Sequence, residues 1–365
     1  MSQVHDVHAA ILAGGRGTRF WPKSRKDTPK QLLPIIGDKT LIRQTFERTC
    51  DTIPPGNVWL VTSRDLRKKI IDELPEIPRD QVIAEPYSRS TAPALGLAAL
   101  HIKRKAGATT VMASFHSDSA IADREKFTLV MRAAIEAARQ PGTFVTIGIQ
   151  PSSPHTGYGY IEVEKRTDLG HPSEQAVLKV KRFVEKPDLD RAKQFLKEGN
   201  FLWNSGMFFW RIDTLLQTIE RYLPRLYRGL TTIDRAIGTA HESETTKEVF
   251  AELDSTSIDR GVMERAENVL TVPGDFRWND VGSFATLYDY WEPDENGNRV
   301  RGNAVTLKST GLLIDSPKKL VAAVGVDDLI IVDTENALLI CNKHHAQDVS
   351  KIVDILEQRG EIEHL

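Results

Sequence analysis

From Val7 to Gln150 the chain alternates between short apolar runs and segments with helical periodicity, and this alternation constrains the fold more than any other feature. Apolar runs separated by helices are typical of a parallel sheet that is covered by helices. We therefore predict an α/β fold whose ligands bind at the carboxyl ends of the strands. The predicted strands are Val7–Ala13, Val58–Thr62, Gln81–Ala84, Thr109–Ala113 and Phe144–Gly148, and the predicted helices are Thr40–Cys50, Arg64–Leu74, Thr91–Arg104 and Arg124–Arg139.

The composition is that of a packed globular protein. Of 365 residues, 40% are hydrophobic and 27% are charged, which excludes general disorder. The formal net charge of −2 argues against nucleic-acid binding through bulk electrostatics. Cys50 and Cys341 lack metal-ligand spacing, and no apolar run reaches the roughly 18 residues that a membrane span needs. We therefore expect a cytoplasmic enzyme that binds neither nucleic acid nor membranes.

The pattern changes after Pro151, where strand-like and helical segments mix up to about Asn298. Trp291–Gly302 is rich in turn-forming and charged residues and is the predicted linker. Short strands and one helix follow, so we expect a large domain at residues 1–298 and a small β-rich domain with a terminal helix at residues 299–365. The predicted segments are strands Gly159–Glu164, Leu178–Val184 and Gly206–Trp210, helices Asp190–Glu198, Ile212–Tyr222, Thr245–Leu253 and Ile258–Ala266, strands Asn303–Leu307, Gly311–Asp315, Leu320–Val324, Leu329–Val332 and Ala337–Cys341, and helix His344–Arg359.

The most informative segment follows the first strand directly and reads Ala13-Gly14-Gly15-Arg16-Gly17-Thr18-Arg19-Phe20-Trp21-Pro22. Glycines at the end of a buried strand let backbone N–H groups approach an anion closely. The segment is neither a Walker loop nor a dinucleotide fingerprint, because Phe20 stands where the fingerprint needs its third glycine. Between Gly14 and Gln31 the local charge is +5, which could neutralise several phosphates. The basic residues are Arg16, Arg19, Lys23, Arg25, Lys26 and Lys30, and the acid is Asp27.

Seven motifs, in order along the chain, resemble those of the sugar-1-phosphate nucleotidyltransferases. The first is Gly14-Gly15-x-Gly17-x-Arg19-x-x-Pro22 with Pro29-Lys30-Gln31, and the later ones resemble the mannose-1-phosphate guanylyltransferases within that family. The resemblance covers Val7 to about Asn342. It implies a Rossmann-like (GT-A-like) fold with a mixed, mostly parallel sheet, residues 1–298 as the catalytic domain, and a short β-helix-like appendage. The later motifs are Glu85-Pro86-x-x-Arg89-x-Thr91-Ala92-Pro93-Ala94, Gly157-Tyr158-Gly159-Tyr160-Ile161, Val184-Glu185-Lys186-Pro187, Trp203-Asn204-Ser205-Gly206-Met207-Phe208, Ser257-Ile258-Asp259 and Asp280-Val281-Gly282-Ser283.

The resemblance implies transfer of GMP from GTP to α-D-mannose 1-phosphate, which gives GDP-mannose and pyrophosphate by direct attack on the α-phosphorus. Both reactants are anions, so the reaction depends on positioning and charge neutralisation. A guanidinium suits the β- and γ-phosphates, so Arg19 is expected to bind them. An ammonium suits the α-phosphoryl group, so Lys30 is expected to stabilise it. The implied nucleotide-binding residues are Leu12, Ala13, Gly14, Gly15, Gly17, Thr18, Arg19, Lys30, Glu85, Pro86, Arg89, Thr91 and Ala92.

Magnesium takes oxygen ligands, usually one or two carboxylates together with phosphate oxygens. Asp118 and Asp280 match the metal-binding aspartates of the family, so the resemblance implies that both hold Mg²⁺ and act with Arg19 and Lys30 in catalysis. Either aspartate could instead cap a helix. The family usually has Pro-Ala-Asp-His where this chain has His116-Ser117-Asp118-Ser119, and we expect His116 to pack near the metal rather than bind it.

Guanine presents two adjacent N–H donors, which one carboxylate can accept as a pair. Glu85 follows a predicted strand at the expected nucleotide edge and is the candidate for this contact; an ordinary surface glutamate is the alternative. Arg89 could neutralise phosphate or brace its loop, and Thr91 could cap the next helix. Ser90 and Phe284 stand where the family commonly has Asn and Trp, and these departures leave the phosphate-binding residues intact.

The sugar phosphate needs acceptors for its hydroxyl groups and a cation for its phosphate. Glu185 and Lys186 supply this pair at the end of a predicted strand, and Asn204 offers a donor and an acceptor on one amide. Asp259 begins a predicted helix, where it could cap the helix or contact the sugar. The implied sugar-phosphate-binding residues are Gly157, Tyr158, Gly159, Glu185, Lys186, Asn204, Ser205 and Asp259.

Two other functions remain open at this point. A pyrophosphorylase for another GDP-hexose, a GDP-heptose or a different nucleoside diphosphate sugar would carry the same motifs. A non-catalytic subunit could bind a sugar nucleotide and regulate a partner, although such a subunit would be expected to lose phosphate-binding cations or metal-binding carboxylates. The residues after 300 are too few for the isomerase domain of some bifunctional relatives, and we expect the appendage to support a homodimer.

Overall fold

The computed structural model describes residues 4–164 and 175–365. The chain forms two compact units. The first comprises Met1–Gly14, Thr45–Ser117 and Ile121–Trp278, and the second comprises Gly15–Gln44, Asp118–Ala120 and Asn279–Leu365. The chain therefore passes between the units several times, and the predicted boundary after residue 298 stays a prediction.

The described residues form short strands and helices along most of their length. The strands are β1 (Val7–Leu12), β2 (Val58–Ser63), β3 (Val82–Glu85), β4 (Val111–His116), β5 (Ala120–Ile121), β6 (Phe144–Ile149), β7 (Tyr160–Val163), β8 (Leu178–Val184), β9 (Phe201–Arg211), β10 (Val269–Gly274), β11 (Trp278–Asn279), β12 (Arg299–Leu307), β13 (Leu313–Val324), β14 (Leu329–Asp333) and β15 (Leu338–Asn342). The α-helices are α1 (Leu41–Cys50), α2 (Arg64–Glu73), α3 (Thr91–Ala106), α4 (Arg124–Ala138), α5 (Leu189–Glu198), α6 (Ile212–Tyr222), α7 (Pro224–Ala236), α8 (Glu242–Glu252) and α9 (Val349–Arg359). Short 3₁₀ turns lie at Thr18–Phe20, Lys30–Leu32, Pro55–Asn57, Arg79–Gln81, Phe284–Asp289, Lys343–Asp348 and Ile362–His364, and a π turn lies at Asp259–Met263.

The first unit is built on one mixed sheet of nine strands in the order β3-β2-β1-β4-β9-β6-β10-β8-β7. Strands β1 to β4 pair in parallel, as β6 does with β10, and the long strand β9 runs antiparallel between β4 and β6. Every residue of β1 and β6 is buried, which is usual for strands covered on both faces. The predicted α/β fold with a mixed sheet and flanking helices is confirmed.

Helix α3 is central to the core of the first unit. Half of its sixteen residues are Ala or Leu, and the helix is buried continuously from Ala92 to Leu100. It also packs closely on α7, because a Cβ atom at Gly96 would lie 2.6 Å from a methyl carbon of Leu230. Across residues 4–164 and 175–365, no helix has the length and apolar character that crossing a membrane would require.

The second unit contains a four-stranded sheet in the order β12-β13-β14-β15. β12, β13 and β14 pair in parallel although only short turns join them, whereas parallel strands usually need a connection of a dozen or more residues. In a β-helix the chain winds as a coil, and each turn places one strand parallel to the strand before it without a long connection. The sheet therefore has the geometry of a short β-helix. Helix α9 packs Val353 and Leu356 into the core of this unit.

Two predictions for the first unit are wrong in detail. β9 begins at Phe201 rather than Gly206, because the polar side chains of Asn204 and Ser205 find partners on the neighbouring strand β6. The predicted helix Ile258–Ala266 is only the single π turn. Helix α7 and strand β10 were not predicted, although both contribute buried side chains to the core.

Three predictions for the second unit also differ from the structure. The predicted strands Gly311–Asp315 and Leu320–Val324 are parts of one strand, β13. The predicted linker Trp291–Gly302 already contains the start of β12. The predicted helix His344–Arg359 begins as a 3₁₀ turn and becomes α-helical at Val349.

Candidate active site

The glycine-rich loop, which we call the phosphate loop (Gly15–Lys30), belongs to the second unit. Gly17 has a φ of 64°, in the left-handed region that glycine adopts without steric cost. A Cβ atom at this position would lie 2.3 Å from Cβ of Lys30. Gly17 therefore brings the two ends of the loop together and fixes the backbone beside Lys30.

Lys30 connects both predicted metal-binding motifs. Its side chain is buried, and its ammonium donates to Oδ2 of Asp118 at 3.0 Å and to the backbone carbonyl of Asp280 at 2.8 Å. The ammonium also lies 5.7 Å from the centre of the Phe20 ring. Three of the four predicted catalytic residues are thus brought together around one cation.

Arg19, the fourth predicted catalytic residue, lies near Asp280. Both side chains flank Gly282, because a Cβ atom there would be 3.0 Å from Oδ2 of Asp280 and 3.4 Å from Nη1 of Arg19. Val281 has a φ of 49°, so the chain turns sharply after Asp280. The absence of a side chain at Gly282 keeps space open between a carboxylate and a guanidinium.

Asp118 and Asp280 provide oxygen donors, which is the chemistry that a hard divalent cation selects. Within residues 4–164 and 175–365, no cluster of three or more His, Cys, Asp or Glu side chains could hold a metal ion by itself. Two carboxylates completed by phosphate oxygens would fit a cation that arrives with a nucleotide. The residues present therefore fit such a metal.

Three other cations of the phosphate loop are engaged elsewhere in the second unit. Arg16 pairs with Glu357 at 2.6 Å, and Lys23 pairs with the buried carboxylate of Asp315. Arg25 donates to Oδ1 of Asn336 at 2.7 Å and to the carbonyl of His364. The local charge of +5 is therefore not all directed at phosphate, as the sequence had suggested it could be.

In the first unit, the predicted base-binding residue Glu85 is buried at the end of β3. Burial raises the pKa of this carboxyl to about 8. Among the described residues, its Oε1 atom has no hydrogen-bond partner, and Oε2 would lie 3.8 Å from a Cβ atom at Gly14. A surface glutamate would not have a buried carboxyl oxygen that lacks a hydrogen-bond partner. Such an oxygen can accept hydrogen bonds from a ligand.

The residues after Glu85 brace the chain. Arg89 donates to the carbonyls of Phe250 at 2.7 Å and Ala251 at 2.6 Å, so of its two predicted roles the structure supports bracing. Thr91 begins α3, and its hydroxyl accepts the N–H of Ile258 at 2.7 Å.

The remaining nucleotide-motif residues mostly support the backbone. Ala92 N–H donates to the carbonyl of Thr256, Leu12 accepts from Ser117, and Ala13 N–H donates to Val61. Thr18 begins a 3₁₀ turn, whereas Gly14 and Gly15 are exposed and Pro86 is half-buried.

The predicted sugar-binding residues cluster in the first unit. A Cβ atom at Gly159 would lie 2.6 Å from Oε2 of Glu185 and 3.3 Å from Cβ of Asn204. The Asn204 amide donates to Oδ1 of Asp259 at 2.8 Å. Lys186, largely exposed and with a φ of 48°, places its ammonium 2.9 Å from Oε1 of Glu185.

Asp259 is the second acid of this cluster. Burial raises the pKa of its carboxyl, the charge of Glu185 raises it further, and the nearby His116 lowers it. His116 lies next to Gly206, where a Cβ atom would be 2.9 Å from its ring. Two carboxyl groups and an amide therefore face a common space, and they can accept from and donate to vicinal hydroxyl groups.

Three further predicted residues line or support this cluster. The ring of Tyr158 stacks on His155 at 3.8 Å and meets Trp203 and Trp278 edge-on. Gly157 N–H donates to His155 at 3.2 Å. The Ser205 hydroxyl donates to the carbonyl of Ile147 at 2.7 Å, so its observed role is to support β9.

Sequence reasoning missed His155 and Trp278, which complete the aromatic contacts of Tyr158. It also missed Gln347, whose amide oxygen accepts from Arg19 at 2.9 Å. The signal for Trp278 is its place two residues before Asp280. Gln347 carries no local signal, because its partner lies 328 positions away in the chain.

Two parts of the chain match known protein families. Residues 8–297 match the nucleotidyl transferase family, and residues 302–356 match the MannoseP isomerase/GMP-like beta-helix domain. The fold is thus that of a nucleotidyltransferase, a class of enzyme that generally uses a divalent metal. The short β-helix-like appendage predicted for the C-terminal residues is confirmed.

Individual relatives place the chain more narrowly. It is 35% identical to the mannose-1-phosphate guanylyltransferase of Klebsiella pneumoniae, over 97% of this chain and 74% of that one. It is 34% identical to the xanthan biosynthesis protein XanB of Xanthomonas campestris, over 99% of this chain and 75% of that one. A crystal structure titled mannose-1-phosphate geranyltransferase, from Thermus thermophilus, superposes with a TM-score of 0.86 at 32% identity, over 96% of this chain and 99% of that one. The chain belongs to the mannose-1-phosphate guanylyltransferase family.

Proposed function

We propose that the protein transfers GMP from GTP to α-D-mannose 1-phosphate, with GDP-mannose and pyrophosphate as products. The observation that carries this proposal is the buried ammonium of Lys30, held between Asp118 and the carbonyl of Asp280, with Arg19 close to Asp280. Such a group of cations and carboxylates suits the direct attack of one phosphate oxygen on another phosphorus, which needs charge neutralisation and alignment rather than a covalent intermediate.

The two cations have separate tasks in this proposal. Lys30 is fixed by two acceptors, so its ammonium is positioned to stabilise the charge that develops on the α-phosphoryl group. Arg19 is exposed and presents a planar fork, which suits the β- and γ-phosphate oxygens that leave as pyrophosphate.

Asp118 and Asp280 would hold Mg²⁺. The oxygen-only donor set and the nearby phosphate-binding cations support magnesium over softer metals. The bound ion would neutralise phosphate charge during transfer. Asp118 already accepts a hydrogen bond from Lys30, so the same carboxylate would both position the lysine and bind the metal ion.

Glu85 would read the guanine base. Its ionised carboxylate can accept N1–H and N2–H together, whereas adenine offers no such pair of donors at the corresponding edge. The raised pKa supports this role, because the carboxyl is buried and its charge is compensated only when donors arrive.

Glu185, Asn204 and Asp259 would bind the mannose hydroxyls, and Lys186 would bind the sugar phosphate. Gly159 supports this assignment, since any side chain there would strike Glu185. Tyr158 would cover one face of the sugar from within its aromatic cluster.

One experiment tests the function directly. Pyrophosphate release is measured for the purified protein across a grid of four nucleoside triphosphates and several sugar 1-phosphates, including hexoses and a heptose. The largest kcat/KM is expected for GTP with mannose 1-phosphate. Preference for another pair would redirect the proposal to another GDP-sugar or NDP-sugar, and no turnover with any pair would favour a sugar-nucleotide-binding regulatory subunit.

We also propose a cytoplasmic homodimer, with residues 1–298 as the catalytic domain and residues 299–365 as the domain that supports association. Val305, Leu307, Val324 and Ile340 are each more than half exposed on the strands of the small sheet. Leu307 lies directly opposite Val324 in register, so part of this apolar surface is continuous. Light scattering is expected to give twice the chain mass for the wild type and the single mass for Leu307→Lys/Val324→Lys.

A further inference from the structure

The C-terminal segment, which we define as residues 343–364, holds the phosphate loop through polar contacts within the second unit. Arg16 pairs with Glu357 at 2.6 Å, and the indole N–H of Trp21 donates to the carbonyl of His364 at 2.7 Å. Phe20 and Trp21 pack in the same apolar cluster as Val353 and Leu356. The loop that carries Arg19 is therefore held by residues that follow it by more than three hundred positions.

Arg19 itself is held by one of these residues. Its Nη1 atom donates to the amide oxygen of Gln347 at 2.9 Å. Gln347 lies in the 3₁₀ turn Lys343–Asp348, directly before α9, so its backbone is fixed by the helix that packs on Phe20. The contact joins a phosphate-loop residue to the part of the chain that matches the beta-helix domain rather than the nucleotidyl transferase family.

The cations of the phosphate loop have partners of different charge. Arg16 forms an ion pair with the carboxylate of Glu357, and Lys23 shares the carboxylate of Asp315 with Arg301. Arg19 faces a neutral amide oxygen, which can orient a guanidinium without neutralising it. A carboxylate at this position would form an ion pair that a polyphosphate would have to break.

We propose that Gln347 is a positioning residue for polyphosphate binding: it orients Arg19 toward the β- and γ-phosphates without adding a second carboxylate to the one that Asp280 already places near this guanidinium. This inference rests on the proposed role of Arg19 and adds to it a residue of the small domain. Because one side of the guanidinium is held before the ligand arrives, less freedom is lost on binding.

The test measures binding of inorganic tripolyphosphate with Mg²⁺ to the full chain by calorimetry, since this probe carries neither base nor sugar. Gln347→Glu keeps the shape and adds a charge, and Gln347→Ala removes the contact. Gln358→Glu is the matched control, because it adds the same charge at an exposed side chain of the same segment. Arg19→Ala and the double variant Arg19→Ala/Gln347→Glu complete the set.

We expect Gln347→Glu to weaken tripolyphosphate binding by up to about fivefold, the upper end of what an exposed ion pair contributes, and Gln347→Ala to weaken it less. In the Arg19→Ala background, Gln347→Glu is expected to have a much smaller effect. In steady-state assays the KM for the triphosphate should rise while the KM for the sugar phosphate stays unchanged.

The outcomes separate this inference from the proposed function. If Arg19→Ala binds tripolyphosphate as the wild type does, the phosphate assignment of Arg19 itself fails. If Arg19→Ala weakens binding but Gln347→Glu does not, or if Gln347→Glu costs the same with and without Arg19, only the role of Gln347 is overturned. If Gln358→Glu weakens tripolyphosphate binding as much as Gln347→Glu does, the role of Gln347 is also overturned. The effect would then come from the added negative charge alone and not from the contact with Arg19.

Discussion

The ammonium of Lys30 and the carboxylate of Asp118, which lie 88 positions apart in the chain, form an ion pair of 3.0 Å. The lysine side chain is only 6% exposed, whereas that of the aspartate is 40% exposed. The cation is thus fixed in the interior of its unit, and the anion remains accessible to a ligand. This asymmetry suits a cation that must keep its place while substrates enter and leave.

Lys30→Met should abolish most of the activity without unfolding the protein. Methionine keeps the apolar stem but removes the charge, and loss of one donor that stabilises a developing oxyanion typically costs about 10²- to 10³-fold in kcat. Pyrophosphate release and circular dichroism are the measurements. Lys26→Met is the control, since Lys26 is exposed in the same loop. A kcat for Lys30→Met close to that of the control would remove Lys30 from the transition state.

Asp118→Asn and Asp280→Asn should each weaken binding of the divalent cation. Asparagine keeps the shape but lowers the charge, so affinity should fall by at least the roughly tenfold that loss of a supporting residue costs at metal sites. Binding of Mn²⁺ in the presence of GTP can be followed by electron paramagnetic resonance. Asp190→Asn, with a side chain that is 97% exposed, is the control. Unchanged Mn²⁺ binding in both site variants would place the metal elsewhere.

Glu85 should make affinity for the guanine nucleotide depend on pH. Its pKa is raised by burial to about 8, and guanine donors stabilise the ionised form, so the affinity for GDP-mannose should rise with pH and level off above about 8. Glu85→Gln should remove this dependence and weaken the preference for GTP over ATP by about tenfold or more. Fluorescence titration at several pH values measures the first effect. An identical pH profile in wild type and Glu85→Gln would show that the base is read by another group.

The same carboxyl links stability to pH in the absence of ligand. Its pKa is raised from 4.5 to about 8, so the folded state binds more protons than the unfolded state between these values. The free energy of unfolding should therefore fall, relative to that of Glu85→Gln, as the pH rises from 4.5 to about 8. Urea unfolding at a series of pH values measures this, with Glu252→Gln on the surface of α8 as the control. A constant difference across the range would contradict the raised pKa.

Gly159→Ala should raise the KM for the sugar phosphate and leave the KM for the triphosphate unchanged. The added methyl group would lie 2.6 Å from Oε2 of Glu185, so this carboxylate would have to move away from its position beside Asn204. Gly56→Ala is the matched control, because no described atom lies within 4 Å of the Cβ that it adds. Equal effects on both KM values would indicate a general disturbance of the sheet instead.

Much of the fold could be predicted from local pattern, because the central strands are continuous apolar runs. β1 and β6 are buried along their whole length, and their predicted limits differ from the observed ones by one residue. β10 escaped prediction because Pro273 argues against a strand, and its pairing with β6 on one side and β8 on the other is visible only in the folded chain. β9 was shortened because Asn204 and Ser205 look like loop residues until their distant partners are known.

In the candidate site, too, local patterns could be predicted from the sequence and contacts between distant residues could not. Glycine spacing and residue type were enough to select Lys30, Asp118 and Asp280, which the structure brings together. The partners of the loop cations could not be predicted, because Arg16 and Glu357 are separated by 341 positions and neither carries a motif. The burial of Glu85 also depends on tertiary packing and leaves no trace in the sequence around it.

The indole of Trp21 lies on the phosphate loop and donates to the carbonyl of His364 at 2.7 Å. Its emission wavelength should respond if the C-terminal segment leaves the loop and water replaces that carbonyl. In a variant that keeps Trp21 as its single tryptophan, fluorescence would report directly whether the two segments are docked, at any substrate concentration and without any turnover. The protein thus carries an optical probe at the point where its last residues meet its glycine-rich loop.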